Sequence, residues 1–156
     1  MGLLNLFLGL SGGLLDKKPP EPETVDMSAL AWAESRNNPE AESRKGARGH
    51  IQMMPRTYAG LETDAKSSGV PLPDEIKGVP FEEAVNNPEL LEVAGEFYLE
   101  ALSVYLKRMG VPVNARNLVA AWNMGASGYA GALEEGRELP KETTGLLDRY
   151  FAALDK

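Results

Sequence analysis

The stretch NPELLEVAGEFYLEALSVYLKRMG, residues 87–110, returns its apolar residues at steps of three and four. Leu90, Ala94, Phe97, Tyr98, Ala101, Tyr105 and Met109 therefore share one face of a helix. Asn87 is placed to cap that helix, Pro88 suits its first turn and Gly110 can end it. An apolar face of this length must be covered, and the remaining sequence offers helices to cover it. They are MSALAWAES, MPRTYAGLETDAKSSG, NARNLVAAWNMG with Leu118, Val119, Ala121 and Trp122, and KETTGLLDRYFAALDK with Leu146, Leu147, Tyr150, Phe151 and Leu154 aligned. The segment SGVPLPDEIKGVP holds too many prolines and glycines for a regular element. No strand-like alternation and no internal repeat is present, so the predicted fold class is all-α, as a scaffold helix surrounded by shorter ones.

The first residues differ from this pattern. MGLLNLFLGLSGGLL is apolar and uncharged, and DKKPPEPE after it is charged and proline-rich. We read residues 1–18 as an apolar docking or anchor segment, 19–24 as a stiff linker and 25–156 as one domain. The apolar run is short beside the ~20 residues of a membrane-spanning helix, is broken by glycine, and lacks the basic start of a secretory signal. Docking on a partner protein or on its own domain, an interfacial membrane anchor and an atypical export signal all remain open.

Composition narrows the chemistry. With no cysteine, thiol catalysis, disulfides and zinc–thiolate sites are excluded. His50 is the sole histidine, which excludes a His-rich metal site and leaves a Ser-His triad resting on one residue. A formal charge of -7 argues against nucleic acid as a partner. Carboxylates are the plentiful reactive groups.

One of them is oddly placed. Met27, Leu30, Ala31 and Glu34 fall at i, i+3, i+4 and i+7, so Glu34 occupies a position in an apolar series. Burial there raises a carboxyl pKa and keeps it protonated near neutrality, as a general acid requires. The plainer alternative is that the helix ends at this point and Glu34 meets solvent or pairs with Arg36 or Arg44. The loop that follows contains Gly46 and Gly49, which permit tight turns or close approach of a ligand to the backbone, and ends with the amide of Gln52. Further on, AAWNMGASG gathers Trp122, Asn123 and Gly125. An acid, amides and aromatic faces are the materials of a carbohydrate cleft, although each has a simpler use: Gln52 as a surface amide, Trp122, Met53 and Met54 as packing. His50 reads as a loop histidine at the cleft rim with no role.

In combination these residues resemble the soluble lytic transglycosylase family, with its lysozyme-like, goose-type lysozyme fold. The family pattern runs Glu-Ser, Asn-Pro-x-Ala, Ser, Gly-Ala-x-Gly, an apolar pair ending in Gln, then Met-Pro and Thr; this chain reads ESRNNPEAESRKGARGHIQMMPRT, with His50 the unusual residue. The family's Ala-Tyr-Asn-x-Gly is AWNMG, with Trp122 for tyrosine, and NNPELLEVAGEFYL is similar to its scaffold helix. Its late Glu-Thr-x-x-Tyr appears as ETTGL: Glu142 and Thr143 are kept, Leu146 replaces the tyrosine, and Tyr150, one turn on, is the candidate to fill that space. The likeness spans about residues 25–151.

The resemblance implies a lyase acting on the glycan strands of peptidoglycan through one carboxyl group. Glu34 would be the catalytic acid, Ser35 and Gln52 would orient it or the substrate acetamido group, Trp122 and Asn123 would line sugar subsites, and Glu142 and Tyr150 would support them. It implies no cofactor and no metal. Alternatives are a goose-type muramidase, a related chitinase-like enzyme, and a structural or adaptor protein without turnover. For setting, the expectation is a bacteriophage virion component that opens the host wall during genome entry. Residues 1–18 would then dock on virion proteins or touch a membrane. A bacterial secretion-complex or housekeeping enzyme of the periplasm is the alternative.

Overall fold

The computed structural model describes residues 22–155, so the expectations for residues 1–18 and for the start of the linker lie outside the described residues. Within them the chain forms eight α-helices and no strand: α1 Met27–Ser35, α2 Pro55–Ala59, α3 Leu61–Ser68, α4 Phe81–Ala84, α5 Pro88–Arg108, α6 Ala115–Met124, α7 Ala126–Glu135 and α8 Lys141–Leu154, with a 3-10 turn at Asp74–Ile76. Among the described residues no helix is long and apolar enough to cross a membrane.

The scaffold helix α5 starts and stops for the expected reasons. Asn87 accepts a hydrogen bond from the Leu90 amide, Pro88 occupies the first turn, and the chain leaves through Gly110 in the left-handed region at φ 77°. Its buried face is wider than the single stripe read from spacing. Leu91, Leu102 and Leu106 are fully buried beside Ala94, Phe97 and Ala101, whereas Leu90, Tyr98 and Tyr105 are half-buried and Met109 is exposed. The reason is that α5 is covered from two directions. One core cluster sets its first half against Ile51, Met53, Tyr58, Leu61 and Ile76; the other sets its second half against α1, α6, α7 and α8. A central helix of this kind buries more than one stripe, and truncating any of its buried leucines to alanine removes about 2–5 kcal/mol.

Three other departures have local causes. The segment 54–69 is two helices because the chain bends at Gly60, which closes α2 and opens α3. Helix α7 carries Gly128 and Gly131, poor helix formers that mask its pattern, yet Tyr129 and Ala132 bury its inner side. The short α4 was concealed by the prolines before it.

Met27, Tyr98 and Trp122 touch both core clusters, so they mark the seam between them. Gly95 on α5 makes that seam possible. A Cβ there would lie 2.6 Å from Ile51 Cδ1, 3.2 Å from Met27 Cε and 3.4 Å from Trp122 Cη2. Gly95→Ala should therefore lower stability by about 1–3 kcal/mol through overpacking, although alanine is the better helix former. Urea unfolding of the two proteins measures the difference, and an equal or higher midpoint for the variant would refute the close-approach account.

Candidate active site

Helix α1 presents Glu34 in its last turn and then stops abruptly. Asp26 caps the start, accepting from the Ala29 amide at 3.0 Å. At the other end Arg36 and Asn37 both take left-handed backbone, φ 58° and 61°, and their amides close back on Trp32 and Ala31. Non-glycine residues in that region cost about 1–2 kcal/mol each, so the stop is held by its surroundings. Ser35 supplies part of the hold: its hydroxyl donates to the His50 carbonyl at 2.7 Å and accepts from the Asn38 amide at 2.9 Å.

Glu34 is largely withdrawn from water, and its Oε2 accepts a hydrogen bond from Trp122 Nε1 at 2.9 Å. An indole N–H only donates, so Oε2 is the acceptor oxygen and the acid proton belongs on Oε1. Burial raises the Glu34 pKa from 4.5 to about 7; the Trp122 hydrogen bond and the positive charge of Arg149 pull it down, and the negative charge of Glu142 pushes it up. Of the two arginines considered as partners, Arg36 lies over the Trp32 ring, 5.4 Å from its centre. Glu34 borders a cleft of about 460 Å³ with Trp32, Ala33, Ser35, Arg36, Arg149 and Ala152.

Asn123 and Glu142 meet on a neighbouring side. Asn123 accepts from the buried Thr143 hydroxyl at 2.6 Å and donates to Glu142 Oε1 at 3.3 Å, while Glu142 Oε2 lies 3.4 Å from Lys45 Nζ. This network ties α6 and α8 to the loop after α1. Gln52 is placed differently from its expected role. At φ 51° it turns its amide inward and donates to the carbonyls of Ala41 at 3.1 Å and Gly49 at 2.9 Å, fastening the loop from within. Trp122 sets the acid with its N–H and packs its ring against Tyr98, with centroids 5.6 Å apart. The aromatic face more open to the cleft is Trp32.

Two expectations need correction. Tyr150 does not reach Glu34: it is buried, and its hydroxyl accepts from the Asp26 amide at 2.9 Å. That bond sits at the start of α1, about 12 Å along the axis from Glu34 at ~1.5 Å per residue, and Leu146 in the tyrosine position is core. His50 is not at a rim either. Its ring is buried against α5, Nε2 lies 3.2 Å from Glu92 Oε1, and Nδ1 has no hydrogen-bond partner among the described residues. Sequence reasoning missed Arg149, although it lies two helical turns beyond Glu142 on the same face of α8, the spacing that could have found it.

The family model of the transglycosylase SLT domain matches residues 17–144, most of the chain. The chain belongs to this family. The SLT domain is that of lytic transglycosylases, lyases that act on peptidoglycan, and the all-α arrangement described above is its lysozyme-like fold. Glu34, Ser35, Gln52, Trp122, Asn123 and Glu142 fall within the matched residues, and Arg149 and Tyr150 fall beyond them. No curated protein and no solved structure matches the chain. Among the described residues no group of three or more His, Asp or Glu side chains is placed to hold a metal ion.

The raised Glu34 pKa carries a stability consequence whose sign is fixed. An unfolded glutamate releases its proton near 4.5 and folded Glu34 near 7, so across that interval the native state holds the extra proton and stability falls as pH rises. Above pH 7 the loss is complete, at most about 3 kcal/mol. Glu34→Gln escapes it. Thermal melts should show the variant gaining on the wild type from about pH 4 to about pH 8, and parallel melting curves across that range would contradict the burial argument.

Proposed function

We propose that Glu34 is the single acid and base of a lytic transglycosylase that cuts the β-1,4 bond between N-acetylmuramic acid and N-acetylglucosamine. The observation that carries this reading is a carboxyl with a pKa of about 7, oriented by a donor-only partner, at the edge of an open cleft. Protonated Glu34 gives its proton from Oε1 to the glycosidic oxygen as the C1–O4 bond breaks. The substrate's acetamido group stabilises the positive charge at C1. Glu34, now a carboxylate, takes the proton of the muramyl 6-hydroxyl while O6 bonds to C1 and closes the 1,6-anhydro ring. The glutamate ends protonated as it began, and no water is consumed. A pKa near working pH serves both directions of transfer. Trp32 borders the cleft and is partly exposed beside Arg36, and we assign it the aromatic surface for a sugar ring.

A second reading, a goose-type muramidase, has one observation in its favour. Among the described residues Glu142 is the carboxylate whose charge acts on Glu34, and a hydrolase needs a base for its water. Against it, both oxygens of Glu142 are engaged, by Asn123 and by Lys45. Digestion of purified peptidoglycan with mass spectrometry of the products separates the two. We expect 1,6-anhydro ends, turnover reduced on the order of 10²–10⁴-fold in Glu34→Gln, and less than about tenfold change in Glu142→Gln. Reducing ends that vanish with Glu142→Gln would establish the muramidase instead.

As to setting, our proposal is that the domain is delivered to the wall by a larger assembly, a phage virion in the first instance, through residues 1–18. Its support is the apolar composition of that segment ahead of a proline-rich linker. Deleting residues 1–18 should abolish co-purification with the assembly while leaving wall digestion in place; retained co-purification would remove the docking role.

A further inference from the structure

Arg149 stands on α8 opposite the last turn of α1. Its Nε donates to the Ala33 carbonyl at 2.9 Å, the residue before Glu34, and its side chain borders the same cleft. Room for the guanidinium is made by its own helix: a Cβ on Gly145 would lie 3.1 Å from Arg149 Nη1. A glycine inside a helix costs about 0.5–1 kcal/mol relative to alanine, and here it leaves space where the guanidinium lies. We propose that Arg149 is a positioning residue of the reaction: it fixes the final turn of α1 and holds a positive charge beside the carboxylate that Glu34 becomes once its proton has left.

This rests on Glu34 being the acid and base, and it answers a difficulty of that scheme. A carboxyl buried enough to stay protonated is penalised as the carboxylate it must become at mid-reaction. Trp122 offers one hydrogen bond to that charge, and Arg149 supplies a full opposite charge. Among the described residues the charged groups around Glu34 are Arg36 just past the end of α1, Arg149 and Glu142 on α8, and Lys45 of the loop, which pairs with Glu142. α6 contributes the neutral Trp122 and Asn123. Arg36 is set over Trp32, and Lys45 is drawn to Glu142, which leaves Arg149 as the cation whose field bears on Glu34. The role lies outside the residues matched to the family, at the part of α8 where the expected tyrosine is replaced by Leu146.

The test is a titration that needs no turnover. The full chain is labelled with ¹³C at the glutamate carboxyls, the Glu34 signal is assigned by its loss in Glu34→Gln, and its pKa is followed in wild type, Arg149→Met, Arg149→Lys and Arg149→Gln. Arg149→Met should raise the Glu34 pKa by about one unit, with the alkaline limb of kcat/KM moving by the same amount and kcat falling more than KM changes. Arg149→Lys should recover most of the titration shift. Should Arg149→Met not fold, Arg149→Gln decides, because it removes the charge while keeping an amide donor for the Ala33 carbonyl: a shift in the same direction supports the proposal. A Glu34 titration that stays at its wild-type position in the folded Arg149→Met, or in Arg149→Gln should that variant alone fold, overturns it, whatever happens to melting temperature. A wild type that forms no anhydro products would sink the transglycosylase reading separately, since the titration reports on the charge without the reaction.

Discussion

The hydrogen bond from Trp122 Nε1 to Glu34 Oε2 joins the last turns of α1 and α6, and the position of each partner depends on the packing around it. Trp122 reaches the carboxyl because its ring lies in the seam between the two core clusters, against Tyr98 and over Gly95. Gly95 is on α5, which with α1 contributes buried residues to both clusters, and its missing side chain is what lets Trp122 pack there. Tyr150 fixes the far end of α1 through the Asp26 amide and Arg149 fixes the near end through the Ala33 carbonyl. Helix α8 therefore clamps α1 at both ends, leaving Glu34 little freedom to move.

The loop after α1 concentrates the backbone strain of the domain. Arg36, Asn37 and Gln52 are its non-glycine residues with positive φ among those described, and all three flank the acid or close the loop behind it. Conformations of this kind persist where surrounding contacts over-determine them. Ser35 binds the His50 carbonyl, Gln52 binds Ala41 and Gly49, and Gly49 fits beneath Leu91, whose Cδ2 would lie 2.3 Å from any Cβ there. Polar residues that resembled sugar ligands are, in Ser35 and Gln52, fasteners of the backbone that carries the acid. Removing one would loosen the turn and so reach the chemistry indirectly.

Much of this was legible because helical spacing is a local property. The caps of α5 and the helix MSALAWAES followed from periodicity and capping residues, and the grouping of AWNMG with ESR followed from the resemblance to the family. What spacing could not give was which side chain fills a position once helices cross. Tyr150 looked like a replacement for the tyrosine lost at Leu146, yet it lies ~1.5 Å along α8 from Arg149 and about 100° around it, so Arg149 reaches Ala33 beside Glu34 while Tyr150 reaches Asp26 at the other end of α1. His50 looked peripheral because a loop polar residue is usually exposed; here the loop folds under α5 and takes the ring inside. Arg149 carried a readable signal, its register with Glu142, but nothing in one sequence says that α8 lies beside Ala33.

In the proposed scheme a single carboxyl donates a proton and then accepts one and is best served by a pKa between the two tasks; the environment of Glu34 is a balance of opposed influences. Burial and the negative charge of Glu142 push the proton on, while Trp122 and Arg149 draw it off, with the midpoint near 7. Two-carboxylate glycosidases divide these tasks by giving each group its own surroundings. Here one group has both kinds of surroundings at once. The division is made in space around the side chain: apolar packing and Glu142 favour the acid, and a donor-only indole and a guanidinium favour the base. On the proposed scheme, shifting either side of the balance would improve one half-reaction at the expense of the other, which would tie each of these neighbours to catalysis without contact to the bond that breaks.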